Sequence, residues 1–261
     1  MKVAVAKYSI GMPSDFDAFA TRQRAVLSEA SRAGARIAVL PEYLALELGA
    51  TFDQSVRGDL HASLAALQVY RDAWGALYAG LARELAMFVQ AGTFLVDIGG
   101  GRYRNRAWWF APDGRSGFQD KLQRTGFEKD AGVIEGGDAL RVFDVEGVRA
   151  GISVCYDSEF PLPVRAQRDA GARLLLVPSC TDTQAGARRV EVGCLARALG
   201  GLREVLGHGT LFAGMPMLAG GAAAWMQLNF PFHGMLVAVL PPGAFFGIAA
   251  LIALRNWLGR E

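Results

Sequence analysis

Up to about residue 199 the chain switches repeatedly between two hydrophobic periods. Apolar runs at or near period two, the mark of strands, occur at residues 2–7 (KVAVAK), 35–40 (ARIAVL), 91–98 (AGTFLVDI), 103–110 (YRNRAWWF) and 142–145. Helical spacing fills the intervals at residues 15–33, where Phe16, Phe19, Ala20 and Leu27 share a stripe, and at residues 61–89. Turns are marked by Pro112-Asp113-Gly114 and Gly136-Gly137-Asp138. Gly99, Gly100 and Gly101 lack the spacing and the following helix of a phosphate loop, and read as a hairpin connection. Val148, Ala150, Ile152 and Val154 alternate along another strand that ends at Cys155, followed by a helix at 162–170, a strand at 174–178 and a helix at 187–199. No internal repeat is present, so the alternation predicts a layered α/β domain.

The pattern fails after residue 200. Charged residues are 20% of the chain, which would place about ten in any 50 residues, yet residues 205–254 hold no Asp, Glu, Lys or Arg. Residues 234–254 are uncharged, mostly apolar, and long enough at 1.5 Å per residue to cross about 30 Å of hydrocarbon. Pro241-Pro242 would kink such a helix, and Arg255 and Trp257 suit its interfacial end. The chain therefore divides into an α/β domain, 1–199, and a hydrophobic tail, 200–261, with a candidate transmembrane helix at 234–254.

Composition narrows the chemistry. A net charge of +2 gives no electrostatic case for a nucleic-acid partner. The three cysteines, 155, 180 and 194, form no CxxC pair and leave one over from any disulfide. With no signal sequence ahead of the first strand, the first piece is expected to be cytoplasmic. Only His61 precedes residue 200, and GxSxG, HExxH and GxxxxGK are absent, so Cys-His, serine-hydrolase, zinc-protease and P-loop chemistry have no footing and neither metal nor cofactor is expected.

Three polar positions stand out. Cys155 in GISVCYDSEFP falls where a buried strand turns, a place for a nucleophile, although a lone cysteine is most often a packing residue. Glu42 follows Pro41 at a strand end, where open α/β sheets place their chemistry and where a helix cap is equally at home. Lys121 leaves a short strand and Glu128 follows seven residues later, both in a stretch that otherwise reads as an exposed charged loop. Cys180 and Cys194 read as structural, Cys194 on the inner face of its helix.

In order and context, Glu42 in VLPEY, Lys121 in QDKLQ and Cys155 in SVCYDSEFP resemble the Glu-Lys-Cys constellation of the nitrilase superfamily of carbon-nitrogen hydrolases. Glu128 falls where that family has a second glutamate. The resemblance covers residues 1 to about 199 and implies a four-layer α-β-β-α sandwich, incomplete here at its carboxyl end, acting on a small amide or nitrile. Family members commonly dimerise, so a homo-oligomer is among the implied states. Residues 201–212 and 230–257, with the motif VLPPGAFFG, resemble instead the end of a membrane subunit of the RnfE or NqrD type. This implies a chimeric chain and membrane association through the tail.

The residue types are coherent as chemistry. A thiol of pKa about 8.5 needs a base or a cation to react at neutral pH. Glu42 can supply the base, while Lys121 can keep it ionised and favour the thiolate. By analogy with the family, Lys121 and the backbone N–H of Tyr156 would face the negative charge formed on the substrate, and Glu128 would orient Lys121 or the substrate.

Overall fold

The computed structural model of the chain describes residues 1–181, 183–198, 210–211 and 228–229. The chain forms two compact units, Met1–Val190 and Glu191–Glu261. In the second, β10 (Thr210–Leu211) and β11 (Leu228–Asn229) pair antiparallel. Among the described residues no helix is long and apolar enough to cross a membrane, and the helix expected at 234–254 lies outside them.

The first unit opens with β1 (Val3–Val5), α1 (Phe16–Arg32) and β2 (Ile37–Val39). Asp15 caps α1 by accepting the N–H of Ala18 at 2.7 Å. A 3-10 segment (Leu44–Thr51), α2 (Gln54–Arg57), α3 (Leu60–Leu67), a second 3-10 turn (Gln68–Tyr70) and α4 (Arg71–Glu84) lead to β3 (Phe88–Gly99), β4 (Arg102–Phe110) and β5 (Ser116–Asp120). Then come α5 (Gly126–Asp130), β6 (Ile134–Glu135), β7 (Val142–Val145), β8 (Val148–Ile152), a 3-10 turn (Cys155–Glu159), α6 (Pro161–Asp169), β9 (Leu174–Leu176) and α7 (Gln184–Ala198).

The continuous helix expected over 61–89 is broken. The side chain of Gln68 donates to the carbonyls of Leu64 and Leu95, both at 2.9 Å, and accepts the N–H of Asp97 at 3.0 Å, which fastens the break to β3. Ala86 takes a left-handed φ of 49°, and Phe88 and Val89, apolar enough to prolong the helical stripe, pair instead with Ile37 and Ala38. Partnership in the sheet overrode local spacing.

Strands β1, β2 and β3 run parallel, and β3, β4 and β5 antiparallel, with β6 alongside β4. A second sheet has the order β7-β8-β9. Two apolar cores separate the layers. One joins α1, α3 and α4 to the first sheet through Phe19, Leu27, Leu64, Trp74, Tyr78 and Phe94. The other lies between the sheets, with Ile37, Val39, Ala107 and Trp109 facing Val145, Ala150, Ile152 and Leu176. On the far face of the second sheet, Gln167 of α6 donates to the carbonyl of Ile152 at 2.7 Å. Gly151 lets it approach, since a Cβ there would meet the Gln167 side chain at 2.9 Å. Helices, sheet, sheet and helix thus stack in the α-β-β-α order, and the chemistry gathers at strand ends beside the inter-sheet core.

Candidate active site

Each of the four expected side chains is carried by a different segment. Pro41 ends the extension of β2 and Tyr43 turns the chain at φ 59°, its N–H bonded to Thr93 Oγ1 at 2.7 Å, so that Glu42 points inward with 1% exposure. The close pass of β3 requires Gly92, which has φ 69° and whose added Cβ would lie 2.4 Å from the carbonyl oxygen of Pro41. Lys121 follows β5 directly; its N–H donates to the carbonyl of Asn105 at 2.8 Å and its carbonyl accepts from Gly137 at 2.7 Å. Glu128 is the third helical residue of a capping box: it accepts the N–H of Thr125 at 2.8 Å and donates its own N–H to Thr125 Oγ1 at 3.3 Å.

Cys155 begins the 3-10 turn with φ 46°, a left-handed conformation that is uncommon for a residue with a side chain and that marks a tight elbow after β8. Its N–H is held by the carbonyl of Pro178 at 2.9 Å and its carbonyl by Ser158 Oγ at 2.7 Å. Sγ lies 3.8 Å from the carbonyl oxygen of Cys180. The first hydrogen bond of the turn runs from Asp157 N–H to Val154 O at 3.0 Å, so the N–H of Tyr156 precedes the ladder and has no acceptor within it.

The four converge. Lys121 Nζ donates to Glu42 Oε1 at 2.8 Å and approaches Glu128 Oε2 at 3.0 Å, and the Cys155 thiol and the Glu42 carboxylate are near enough to shift each other's pKa. Lys121 and Glu128, which the sequence pattern alone would leave on an exposed loop, are 2% and 0% exposed. Burial raises the pKa of Glu42 against the opposing pull of Lys121. Burial disfavours the charged form of Lys121, but Glu42 and Glu128 more than compensate and raise it, so the amine stays protonated. For Glu128, burial is outweighed by Lys121, Tyr43 and the Thr125 N–H, and the carboxyl sits below its ordinary range. The Cys155 thiol is pushed up to about 12 by burial first and the Glu42 charge second. Lys121 acts on the thiol in the expected direction, favouring the thiolate, but its effect is smaller than these two and the thiol stays protonated.

Several further groups, not among the four expected side chains, complete the site. Asn105 Nδ2 donates to Glu42 Oε1 at 2.8 Å and to Glu128 Oε1 at 3.2 Å. The Tyr43 hydroxyl donates to Glu128 Oε1. Asp157 accepts the N–H groups of Leu122 and Gln123, the latter at 2.6 Å, and of Val154 at 3.3 Å, tying the Lys121 loop to the Cys155 elbow. Burial pushes the Asp157 carboxyl up to about 6. Cys180, expected as a structural side chain, is exposed and serves through its backbone, its N–H reaching Glu42 Oε2 at 3.3 Å. Among the described residues no cluster of three or more His, Cys, Asp or Glu could hold a metal ion.

A carbon-nitrogen hydrolase family model matches residues 2–198. The chain belongs to the carbon-nitrogen hydrolase family. Probable hydrolase YhcX of Bacillus subtilis (strain 168) is 31% identical over 201 residues, 76% of this chain but only 38% of YhcX. The carbon-nitrogen hydrolase of Helicobacter pylori G27 superposes with a TM-score of 0.61 at 17% identity, covering 76% of this chain and 70% of that one. An amidase from Nesterenkonia sp. gives 0.59 at 21% identity, covering 76% and 73%. The likeness to the nitrilase superfamily read from the sequence therefore holds for family and fold. The carboxyl-terminal segment of this family member matches a different protein. The E component of the ion-translocating oxidoreductase complex of Pseudomonas aeruginosa (strain LESB58) is 58% identical over 60 residues, 22% of this chain and 25% of that protein.

Proposed function

We propose that the chain hydrolyses the carbon-nitrogen bond of a small amide through a cysteine acyl-enzyme, with Cys155 as nucleophile, Glu42 as general base and acid, and Lys121 and the Tyr156 N–H as oxyanion donors. The observation that carries this reading is the convergence of Glu42, Lys121, Glu128 and Cys155, from four separate segments, into one buried group in which Lys121 bridges the two carboxylates and the Glu42 charge acts on the thiol. As Sγ attacks the amide carbon, the thiol proton passes to Glu42 and the carbonyl π pair moves to oxygen, opposite Lys121 and Tyr156 N–H; one such donor is worth roughly 3 kcal/mol. The tetrahedral adduct collapses with cleavage of the C–N bond, and Glu42 returns the proton to the departing ammonia. Water then attacks the thioester, giving its proton to Glu42, and the acid leaves as the proton returns to sulfur. Glu128, held by Tyr43, Thr125 and Asn105, keeps Lys121 aimed at the reacting oxygen. The same groups would serve a nitrile, with charge developing on nitrogen.

The test is release of ammonia from a panel of short aliphatic amides. Cys155→Ala is expected to abolish it while leaving the tryptophan fluorescence of the fold intact; turnover unchanged by that substitution overturns the reading.

The 58% match to a component of the oxidoreductase complex supports a second reading, of a hybrid chain joined near residues 199–203 whose cytoplasmic catalytic unit is tethered to a membrane by its tail. Expressed full-length chain should then need detergent, not high salt, for extraction from the membrane fraction. Recovery in the soluble fraction would contradict tethering, and discontinuous reads across codons 195–205 of independently prepared DNA would contradict a natural join.

A further inference from the structure

Asn105 lies in the middle of β4 with 1% exposure and touches three of the four site residues or their backbone. Its carbonyl receives the Lys121 N–H at 2.8 Å, and its amide nitrogen donates at 2.8 Å to Glu42 Oε1 and at 3.2 Å to Glu128 Oε1. The orientation of the amide is fixed by charge. Turned over, its oxygen would confront both carboxylates, whereas as placed both N–H bonds meet anionic acceptors. The remaining oxygen, Oδ1, is buried without a hydrogen-bond partner among the described residues, a desolvation cost that an apolar side chain of the same size would avoid. Packing therefore does not account for an asparagine at this position, and the two carboxylates do.

The two oxygens of Glu42 are unequally engaged. Oε1 carries both Lys121 and Asn105, while Oε2 carries one long bond from the Cys180 N–H at 3.3 Å. We propose that Asn105 is a positioning residue for proton transfer: by occupying Oε1 it holds Glu42 ionised and reserves Oε2 for the proton of the Cys155 thiol. This rests on the reading of Glu42 as the base. The groups facing Glu42 are Lys121 beyond β5, Glu128 of α5, Cys155 of the 3-10 turn and the adjoining Tyr43, so the acid limb of activity belongs to this coupled set. Asn105 acts on it through the carboxylates.

The experiment has two arms on Asn105→Ala and Asn105→Asp in the full-length chain. In the first, the pH profile of kcat/KM for a short amide should show its acid limb displaced upward by about one unit in Asn105→Ala and further in Asn105→Asp, which exchanges a donor for a third carboxylate. In Asn105→Ala kcat should fall roughly 10- to 100-fold, the scale of general acid-base assistance, with KM changed less than about threefold. A merely structural role would lower the yield of active enzyme without moving the limb. The second arm needs no turnover: 13C NMR of protein labelled at the glutamate carboxyl carbon, with Glu42 assigned by loss of its signal in Glu42→Gln, should show the same upward displacement of the Glu42 titration. An unmoved titration in both variants overturns the role of Asn105. Absence of amide hydrolysis by the wild type overturns the hydrolase reading, and the NMR arm still decides whether Asn105 holds Glu42 ionised.

Discussion

Removing Lys121 separates the electrostatic account of the site from its catalysis. The ammonium lies 2.8 Å from Glu42 Oε1 and 3.0 Å from Glu128 Oε2, and the two carboxylate side chains are 1% and 0% exposed. In Lys121→Met the methylene bulk remains while two buried negative charges lose their shared counterion. Deleting one partner of a buried pair costs about 3–5 kcal/mol, a large part of the roughly 5–15 kcal/mol that typically holds a domain folded. Protonation is the available relief. Glu42, already raised by burial, rises further without Lys121, and Glu128, now held low chiefly by Lys121, is released. A carboxyl whose folded pKa lies above its unfolded value near about 4.3 adds stability below that value and loses it as pH climbs through the folded pKa. The deficit of Lys121→Met should accordingly be small near about pH 4.5 and reach its full size by about pH 8. Urea midpoints at those two pH values, read by tryptophan fluorescence with Trp74 and Trp109 buried in the two cores, measure it. Lys121→Met/Glu128→Gln, which discards one of the stranded charges, should recover at least half of the loss at the higher pH. An equal loss at both pH values, or no recovery in the double variant, would refute the reasoning.

Gly92→Ala should destabilise by more than about 2 kcal/mol, because φ 69° and a contact at 2.4 Å with backbone oxygen leave no room to adjust; a fall in Tm of only one or two degrees would count against it. Asp157→Asn should lower kcat roughly tenfold or more by freeing the Lys121 loop from the Cys155 elbow, seen as faster amide exchange at Leu122 and Gln123. Its effect on stability should run the other way with pH. Wild-type Asp157, raised to about 6 when folded, contributes stability below its unfolded pKa that is lost as pH rises through 6, so the deficit of the asparagine variant should shrink between about pH 4 and about pH 7.5 in urea titrations. Glu42→Gln should lower the pKa at which the Cys155 thiol ionises, since the glutamate charge helps hold it near about 12, while abolishing amide turnover; iodoacetamide labelling of Cys155 against pH reads the first and ammonia release the second.

What the sequence discloses about the site follows from how far each residue's role depends on its own neighbours. Glu42 and Cys155 are visible because Pro41 and the alternation through Val154 mark strand ends locally. Lys121 and Glu128 are visible only through the resemblance, since the burial of a charge is decided by partners from other segments that periodicity does not register. Asn105 does carry a signal. It occupies an inward position of YRNRAWWF, in register with buried Tyr103, Ala107 and Trp109, where an amide needs a reason to be. Asp157 and the backbone of Cys180 act through main-chain groups, and no residue type announces that. The break in the helix expected over 61–89 is hidden for the same reason as Lys121: Gln68 is an ordinary helical residue until the carbonyl of Leu95 stands beside it.

Among the described residues, the groups that position the reacting side chains lie within Met1–Val190: Tyr43, Thr125, Asn105, Asp157, and the backbone of Pro178 and Cys180. The mutual placement of Glu42, Lys121, Glu128 and Cys155 is therefore held by contacts inside that unit, whatever protein the carboxyl-terminal segment is most like. A substitution confined to the tail should change extraction, aggregation or the apparent KM before it changes the kcat of the enzyme that remains folded. A tail substitution that lowered kcat with no change in any of the other three would mean that the second unit supplies something the four converging side chains do not.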